Sequence, residues 1–204
     1  PSVETVAGDV RDPATVDRLF DAIGPATVFH SAGVIHPEGR TRELFDVNVG
    51  GTQLVLDRAR RAGVTRFVHV SSNSPFGANP SPDDRFTEDS PYNPYLAYGQ
   101  SKMEAEQLVR RGYDRGDLAT VIIRAPWFYG PFQPARQTTF FRMVRGGKFP
   151  VIAGGKQRRS MVYVDNLVQG VVKAELTCRP PGSGWWIADE HPYEVGEIVA
   201  TVGR

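Results

Sequence analysis

Short runs of β-branched residues alternate along the chain with longer stretches in which apolar positions recur every three or four residues. This is the signature of repeated strand and helix units and of a parallel sheet. Val3 to Ala7 is predicted as a strand, Pro13 to Ile23 as a helix, and Thr27 to His30 as a strand. Thr41 to Ala62 is predicted as a long helix ended by Gly63. Arg66 to Val70 makes another strand, followed by a loop over residues 74–93 that carries Pro75, Pro80, Pro82 and Pro91. Asn93-Pro94 supplies an N-cap and a first-turn proline for a helix over 94–112, and Leu118 to Arg124 returns to strand. Beyond Pro126 the regularity gives way to Gly, Pro and aromatic residues, with helices over Ala135 to Arg145 and Asp165 to Leu176. Trp185 to Ala188 reads as a strand of a smaller lobe and Tyr193 to Gly203 as the helix after it. The expectation is an α/β protein with a doubly wound parallel sheet over 1–130 and a small C-terminal lobe over 131–204, their junction forming a cleft.

Composition narrows the function. With 24 basic against 23 acidic residues, no one-sided excess points to nucleic acid or to a membrane surface. The single cysteine, Cys178, excludes an intramolecular disulfide framework and a cysteine-based zinc site, and no metal is expected. No apolar run approaches the roughly 20 residues of a membrane-spanning helix, and the N-terminus lacks a basic-then-apolar signal pattern. A soluble, cytoplasmic protein acting on a small molecule is the expectation.

The chemistry gathers in two segments. In Tyr98-Gly-Gln-Ser-Lys102 a four-residue spacing on a helix puts a phenol and an ammonium on one face, one above the other. An ordinary surface pair is the plain alternative. Val68-His69-Val70-Ser71-Ser72 is an apolar strand whose end delivers hydroxyls to the edge where open parallel sheets bind ligands, although a serine pair also serves as a simple strand cap.

Together with His30-Ser-Ala-Gly33, Asn48-Val-Gly-Gly-Thr52 and Arg124-Ala-Pro-Trp-Phe-Tyr-Gly-Pro131, in this order, these segments resemble the extended short-chain dehydrogenase/reductases. That family includes NAD-dependent nucleotide-sugar epimerases and dehydratases and 3β-hydroxysteroid dehydrogenases. The resemblance implies a Rossmann-like domain in which Tyr98 exchanges a proton with the substrate oxygen while hydride moves to or from nicotinamide. Lys102 holds the ribose hydroxyls, and Ser72 steadies charge on the substrate oxygen. A free phenol has a pKa of about 10, so work near pH 7 asks for roughly 3 units of depression, about 4 kcal/mol, which Lys102 and the oxidised nicotinamide are expected to supply.

By the same resemblance Asp9 and the Val10 backbone meet the adenine, with Asp12 kept for capping the next helix. His30, Ala32 and Gly33 pack against phosphates and ribose, small residues permitting close approach. Asn48 takes a structural or proton-relay role beside the site, a solvated polar residue being the bland alternative. Pro126 contacts the carboxamide, although the family usually has proline directly after the arginine, where this chain has Ala125. Asn73, Phe128 and Arg159 line the substrate site. The Arg158-Arg159 pair resembles the stretch that grips a nucleotide-sugar diphosphate, and an ion pair with Asp165 is the structural alternative.

The chain contains no Gly-x-x-Gly-x-x-Gly segment, which these enzymes place after their first strand to meet the pyrophosphate. It is therefore expected to lack the first strands of the fold and to hold a dinucleotide poorly by itself. NAD is the family expectation and NADP stays open, because the discriminating segment follows the second strand. The resemblance further implies a homodimer through the helices over 41–62 and 94–112. The first reading is a nucleotide-sugar epimerase or dehydratase, with 3β-hydroxysteroid dehydrogenase-like alcohol oxidation as the alternative. A cofactor-sensing protein without turnover is the reading from a different class, and retention of Ser72, Tyr98 and Lys102 speaks against it.

Overall fold

The protein is described by a computed structural model covering residues 3–114, 118–177 and 182–203. Its segments pack into two compact units that interleave along the chain. One comprises Pro1–Ala78, Phe86–Arg124 and Val171–Trp186, and the other Asn79–Arg85, Ala125–Gly170 and Ile187–Arg204. A single division after residue 130, as the hydrophobic pattern suggested, does not follow these units, because the chain passes between them five times.

The first unit is built on a four-stranded sheet in the order β1 (Thr27–His30), β2 (Arg66–Ser72), β3 (Ala119–Ala125), β7 (Gly184–Trp186). β1 runs parallel to β2 with Phe29 opposite Val68, and β3 runs parallel to β7 with Ile123 opposite Trp185. Helix α1 (Pro13–Leu19) is started by Asp12, whose carboxylate accepts from the Ala14 and Thr15 amides, and by Pro13 at the first position. It packs with α3 (Thr52–Arg61) and α4 (Leu96–Asp114) over the sheet, and Val16, Val55, Leu56, Ala59, Phe67, Val109 and Ile122 form the buried core between them. Burial of these apolar faces, each side chain worth about 1.5–3 kcal/mol, fixes the depth at which α4 lies on β2.

Four expectations are corrected. Val3 to Ala7 is not a strand: residues 3–7 join no ladder, and Val3 is 85% exposed. A strand exists only through its hydrogen-bonded neighbours, and none flanks this stretch among the described residues. The long helix over 41–62 is broken by register: α2 (Arg42–Phe45) passes into a π-helical turn over Asp46–Gly51 before α3 begins, while Gly63 ends it with a φ of 73° as expected. Helix α4 starts at Leu96, not at residue 94. The amides of Asn93 and Tyr95 are committed to the carbonyls of Pro75 and Ser74, and Leu96 turns the chain with a φ of 57°. Finally, the Trp185 strand belongs to the main sheet as β7, not to the smaller lobe.

The second unit holds the parallel pair β4 (Trp127–Tyr129) and β6 (Met161–Tyr163), and the antiparallel pair β5 (Arg158–Arg159) and β8 (Tyr193–Glu194). Helix α5 (Ala135–Arg145) has the predicted bounds, and α7 is Val195–Val202. Helix α6 (Val164–Thr177) leads from this unit back into the first.

Candidate active site

β2 ends in Ser71 and Ser72, and a single 3-10 turn over Ser74–Phe76 follows at once. Ser72 Oγ accepts from the Ser74 amide at 3.2 Å and lies 3.3 Å from Asn73 Oδ1, so the hydroxyl is held at the strand end by its own turn. Helix α4 docks on that turn by its first residues. Tyr95 donates its amide to the Ser74 carbonyl at 3.2 Å, and a Cβ on Gly99 would lie 2.5 Å from the same oxygen. Glycine at 99 is therefore what lets the helix approach close enough for the phenol of Tyr98 to come beside Ser72.

Lys102 lies one turn further along α4, 5% exposed, and donates from Nζ to the Val70 carbonyl at 2.9 Å. Burial draws its pKa down to about 8, opposed by the charge of Glu106. The phenol moves the other way: burial raises Tyr98 above its ordinary value, and the nearby Ser72 hydroxyl opposes the rise. Loss of water around the phenolate thus outweighs the polar neighbours that this chain supplies. Beneath Lys102 the ring of His69 stacks on that of His30 with centroids 5.5 Å apart. Burial lowers both, His30 to about 4, and the lysine charge lowers them further, so the two imidazoles are neutral at pH 7.

Asn48 ties three elements to α4. Buried in the π-helical turn, its Oδ1 accepts the Val34 amide at 2.8 Å, and its Nδ2 donates to the Val34 carbonyl at 2.9 Å and to Ser101 Oγ at 3.0 Å. Ser101 in turn donates to the Tyr98 carbonyl at 2.9 Å. Thr52 Oγ1 donates to the Asn48 carbonyl at 2.6 Å and lies 2.9 Å from His30 Nε2. Since the threonine proton is committed to that carbonyl, His30 donates from Nε2, which fixes its tautomer. Gly33 makes room for this cross-link, because a Cβ there would lie 3.1 Å from Asn48 Oδ1. Asn48 is 1% exposed, which removes the reading of a solvated polar residue.

Other predicted residues fall into three groups. Asp9 is exposed and engaged by Arg11 through the amide at 2.8 Å and the guanidinium at 2.6 Å, which holds its pKa down to about 2. Val10 seats on the π turn, where a Cβ on Gly51 would approach its Cγ2 to 2.7 Å. Ala32 and Gly33 are exposed on the loop after β1. Pro126, Phe128 and Arg159 belong to the second unit. There Pro126 is buried, Phe128 stands opposite Val162 in the β4–β6 ladder, and Arg159 places its guanidinium 5.5 Å from the Trp127 ring centroid. The partner of Arg158 is Asp83, at 3.2 Å, instead of the suggested Asp165.

Sequence reasoning missed Glu106, Thr52, Ser101 and Tyr92, and treated Arg124 only as the start of a motif. A signal existed for Glu106: it lies at i+4 from Lys102, between Ala105 and Val109 on a face that is otherwise buried.

Residues 1–182 match the model of the NAD dependent epimerase/dehydratase family. The chain belongs to that family. The uncharacterized protein y4nL of Sinorhizobium fredii is 46% identical over 98% of this chain and 56% of its own length. The 3 beta-hydroxysteroid dehydrogenase/Delta 5-->4-isomerase of Mycobacterium tuberculosis (strain CDC 1551 / Oshkosh) is 31% identical over 99% of this chain and 58% of its own length. Among solved structures, DesIV, the dTDP-glucose 4,6-dehydratase of Streptomyces venezuelae crystallised with NAD, superposes with a TM-score of 0.83 at 26% identity, over 96% of this chain and 61% of its own. The epimerase/dehydratase fold is thus the Rossmann-like parallel sheet described above, and the chain spans between half and two thirds of these relatives. Among the described residues no helix is long and apolar enough to cross a membrane.

Proposed function

We propose that Ser72, Tyr98 and Lys102 form the acid/base site of an NAD-dependent epimerase or dehydratase that oxidises a secondary alcohol of a nucleotide sugar. The observation that carries this reading is the gathering of two hydroxyls and one buried ammonium: α4 docks on the turn that holds Ser72, which brings the Tyr98 phenol beside that hydroxyl, and Lys102 follows on the same helical face with its ammonium on the Val70 carbonyl.

The residues present fit the nicotinamide end of NAD. The Lys102 ammonium has three N–H donors, of which one is occupied by Val70 among the described residues, so donors are left for vicinal ribose hydroxyls. When bound, the dinucleotide accepts and returns hydride. Tyr98 takes the proton of the substrate hydroxyl as hydride leaves and gives it back when the carbonyl is reduced. Ser72 donates to that oxygen while it carries charge. The positive charge of oxidised nicotinamide beside Lys102 would favour the phenolate that burial alone disfavours.

The 3β-hydroxysteroid reading is kept for one specific observation. Trp127, Phe140, Phe141 and Phe149 form a contiguous aromatic cluster in the second unit, with Trp127 and Phe140 edge to face at 4.9 Å. Turnover in the protein carrying this sequence separates the two. Conversion of a nucleotide-diphospho-sugar without net NADH supports the first reading, and steady NADH release from a 3β-hydroxysteroid supports the second. Absence of both with NAD bound, and with NADP in its place, refutes the function. A homodimer through residues 41–62 and 94–112 belongs to the same proposal and is tested by light scattering.

A further inference from the structure

Helix α4 buries a second charged side chain beyond the Tyr98 and Lys102 face. Glu106 is 0% exposed and follows Lys102 by four residues, which places it on the same helical face one turn on. From β3, Arg124, 1% exposed, donates through Nη2 at 3.1 Å and Nε at 3.3 Å to Glu106 Oε2. The phenol of Tyr92 donates to the same oxygen at 2.9 Å. Three donors thus converge on Oε2, whereas the equally buried Oε1 has no hydrogen-bond partner.

A carboxylate taken out of water with one oxygen unshared is costly unless positive potential reaches it from elsewhere. The groups that face Lys102 are His30 from β1, His69 from β2, and Tyr98 and Glu106 from α4 itself. The two imidazoles are neutral at pH 7 and the phenol is protonated, so Glu106 is the anionic group acting on the ammonium among the described residues. The same carboxylate reaches the loop that follows Ser72. Arg124 Nη1 donates to the Glu88 carbonyl at 3.2 Å, its guanidinium lies 4.3 Å from the centroid of Phe76, and Trp186 Nε1 donates to the Thr87 carbonyl at 3.0 Å.

We propose that Glu106 is a positioning residue for Lys102: pinned through one oxygen by Arg124 and Tyr92, its buried charge keeps the Lys102 ammonium protonated and held on the Val70 carbonyl. The inference deepens the proposed function, since it rests on Lys102 being the cation of the reaction site. Arg124 is the anchor that orders the carboxylate, and the loop over 86–92 is tied to the same anchor.

The test is a titration of Lys102 by heteronuclear NMR on lysine-labelled protein, its signal identified by loss in Lys102→Met. In Glu106→Gln the midpoint falls by about one pH unit or more, a tenfold or greater rise in acidity, while Lys148, Lys156 and Lys173 keep theirs. A midpoint equal to that of the wild type in a folded Glu106→Gln protein overturns the proposal. Where that variant does not fold, Glu106→Gln combined with Arg124→Met removes both buried charges and leaves neither unpaired. A fall made smaller by the loss of the Arg124 charge is expected there, and an unmoved midpoint overturns the proposal equally. A fallen midpoint in a protein that turns over neither sugar nucleotide nor steroid refutes the proposed function and leaves the coupling of Glu106 to Lys102 standing.

Discussion

Gly99 faces the carbonyl of Ser74 so closely that a methyl group in its place would lie 2.5 Å from the oxygen and 3.1 Å from the carbon. Alanine is worth about 1 kcal/mol over glycine in a helix interior, but the clash is with backbone, which cannot swing aside. Gly99→Ala is therefore expected to lower stability by about 1–2 kcal/mol in urea denaturation and to move Tyr98 away from Ser72. A gain in stability would show that the helix does not rest on the serine turn.

The Asn48 cross-link predicts a loss out of proportion to side-chain size. Asn48→Ala strands the Val34 amide and carbonyl and one face of Ser101 in the interior, at roughly 2–4 kcal/mol in total. Thr52→Val, nearly isosteric, removes the bond to the Asn48 carbonyl and leaves His30 Nε2 without an acceptor, for about 1–2 kcal/mol. Equal stability of either variant and the wild type would contradict this geometry.

Glu106 and Arg124 should be strongly non-additive. Either truncation alone leaves a buried charge and is expected to cost about 3–5 kcal/mol, whereas Glu106→Gln with Arg124→Met should cost well under the sum. Additive losses in a double-mutant cycle would mean that the pair at 3.1 Å is not coupled.

Acid stability follows from the stacked imidazoles. His30 binds its proton near pH 4 in the folded chain and near 6.5 when unfolded, so between those values the unfolded chain binds more protons and stability falls as pH falls. The loss is complete below the folded value and amounts to about 3 kcal/mol for His30, with His69 adding in the same direction. Lys102, lowered from 10.5 to about 8, gives the same sign at the alkaline end: stability rises between those values, because the unfolded chain still holds a proton that the folded one has shed. Denaturation midpoints at pH 7 and pH 4.5 check the first claim, and a flat profile between them would contradict it.

Much of this was legible in the sequence because local rules dominate locally. β1 and α5 have the predicted bounds, Asp12 caps the helix it was expected to cap, and the Tyr98 to Lys102 spacing places both groups on one helical face. What escaped depends on partners far along the chain. The strand propensity of Val3 to Ala7 has no neighbour to pair with among the described residues, and the Trp185 strand joins the main sheet beside β3. The π turn at Asp46–Gly51 is stabilised by Thr52, His30 and Val10, none of which a helical period can reveal. The helical period around Glu106 marks a buried face but does not disclose its partner, an arginine 18 residues later in the chain.

The central claim is that Tyr98 moves the proton while hydride leaves the substrate. Its most direct test is single-turnover reduction of NAD by substrate, followed by the absorbance of reduced nicotinamide, in the protein carrying this sequence and in its Tyr98→Phe variant, with NAD binding measured in parallel. The expected result is unchanged NAD affinity and a rate lower by roughly 10²–10⁴ in the variant. A variant that binds NAD and reduces it at the wild-type rate would contradict the assignment of Tyr98, and with it the reading of the site.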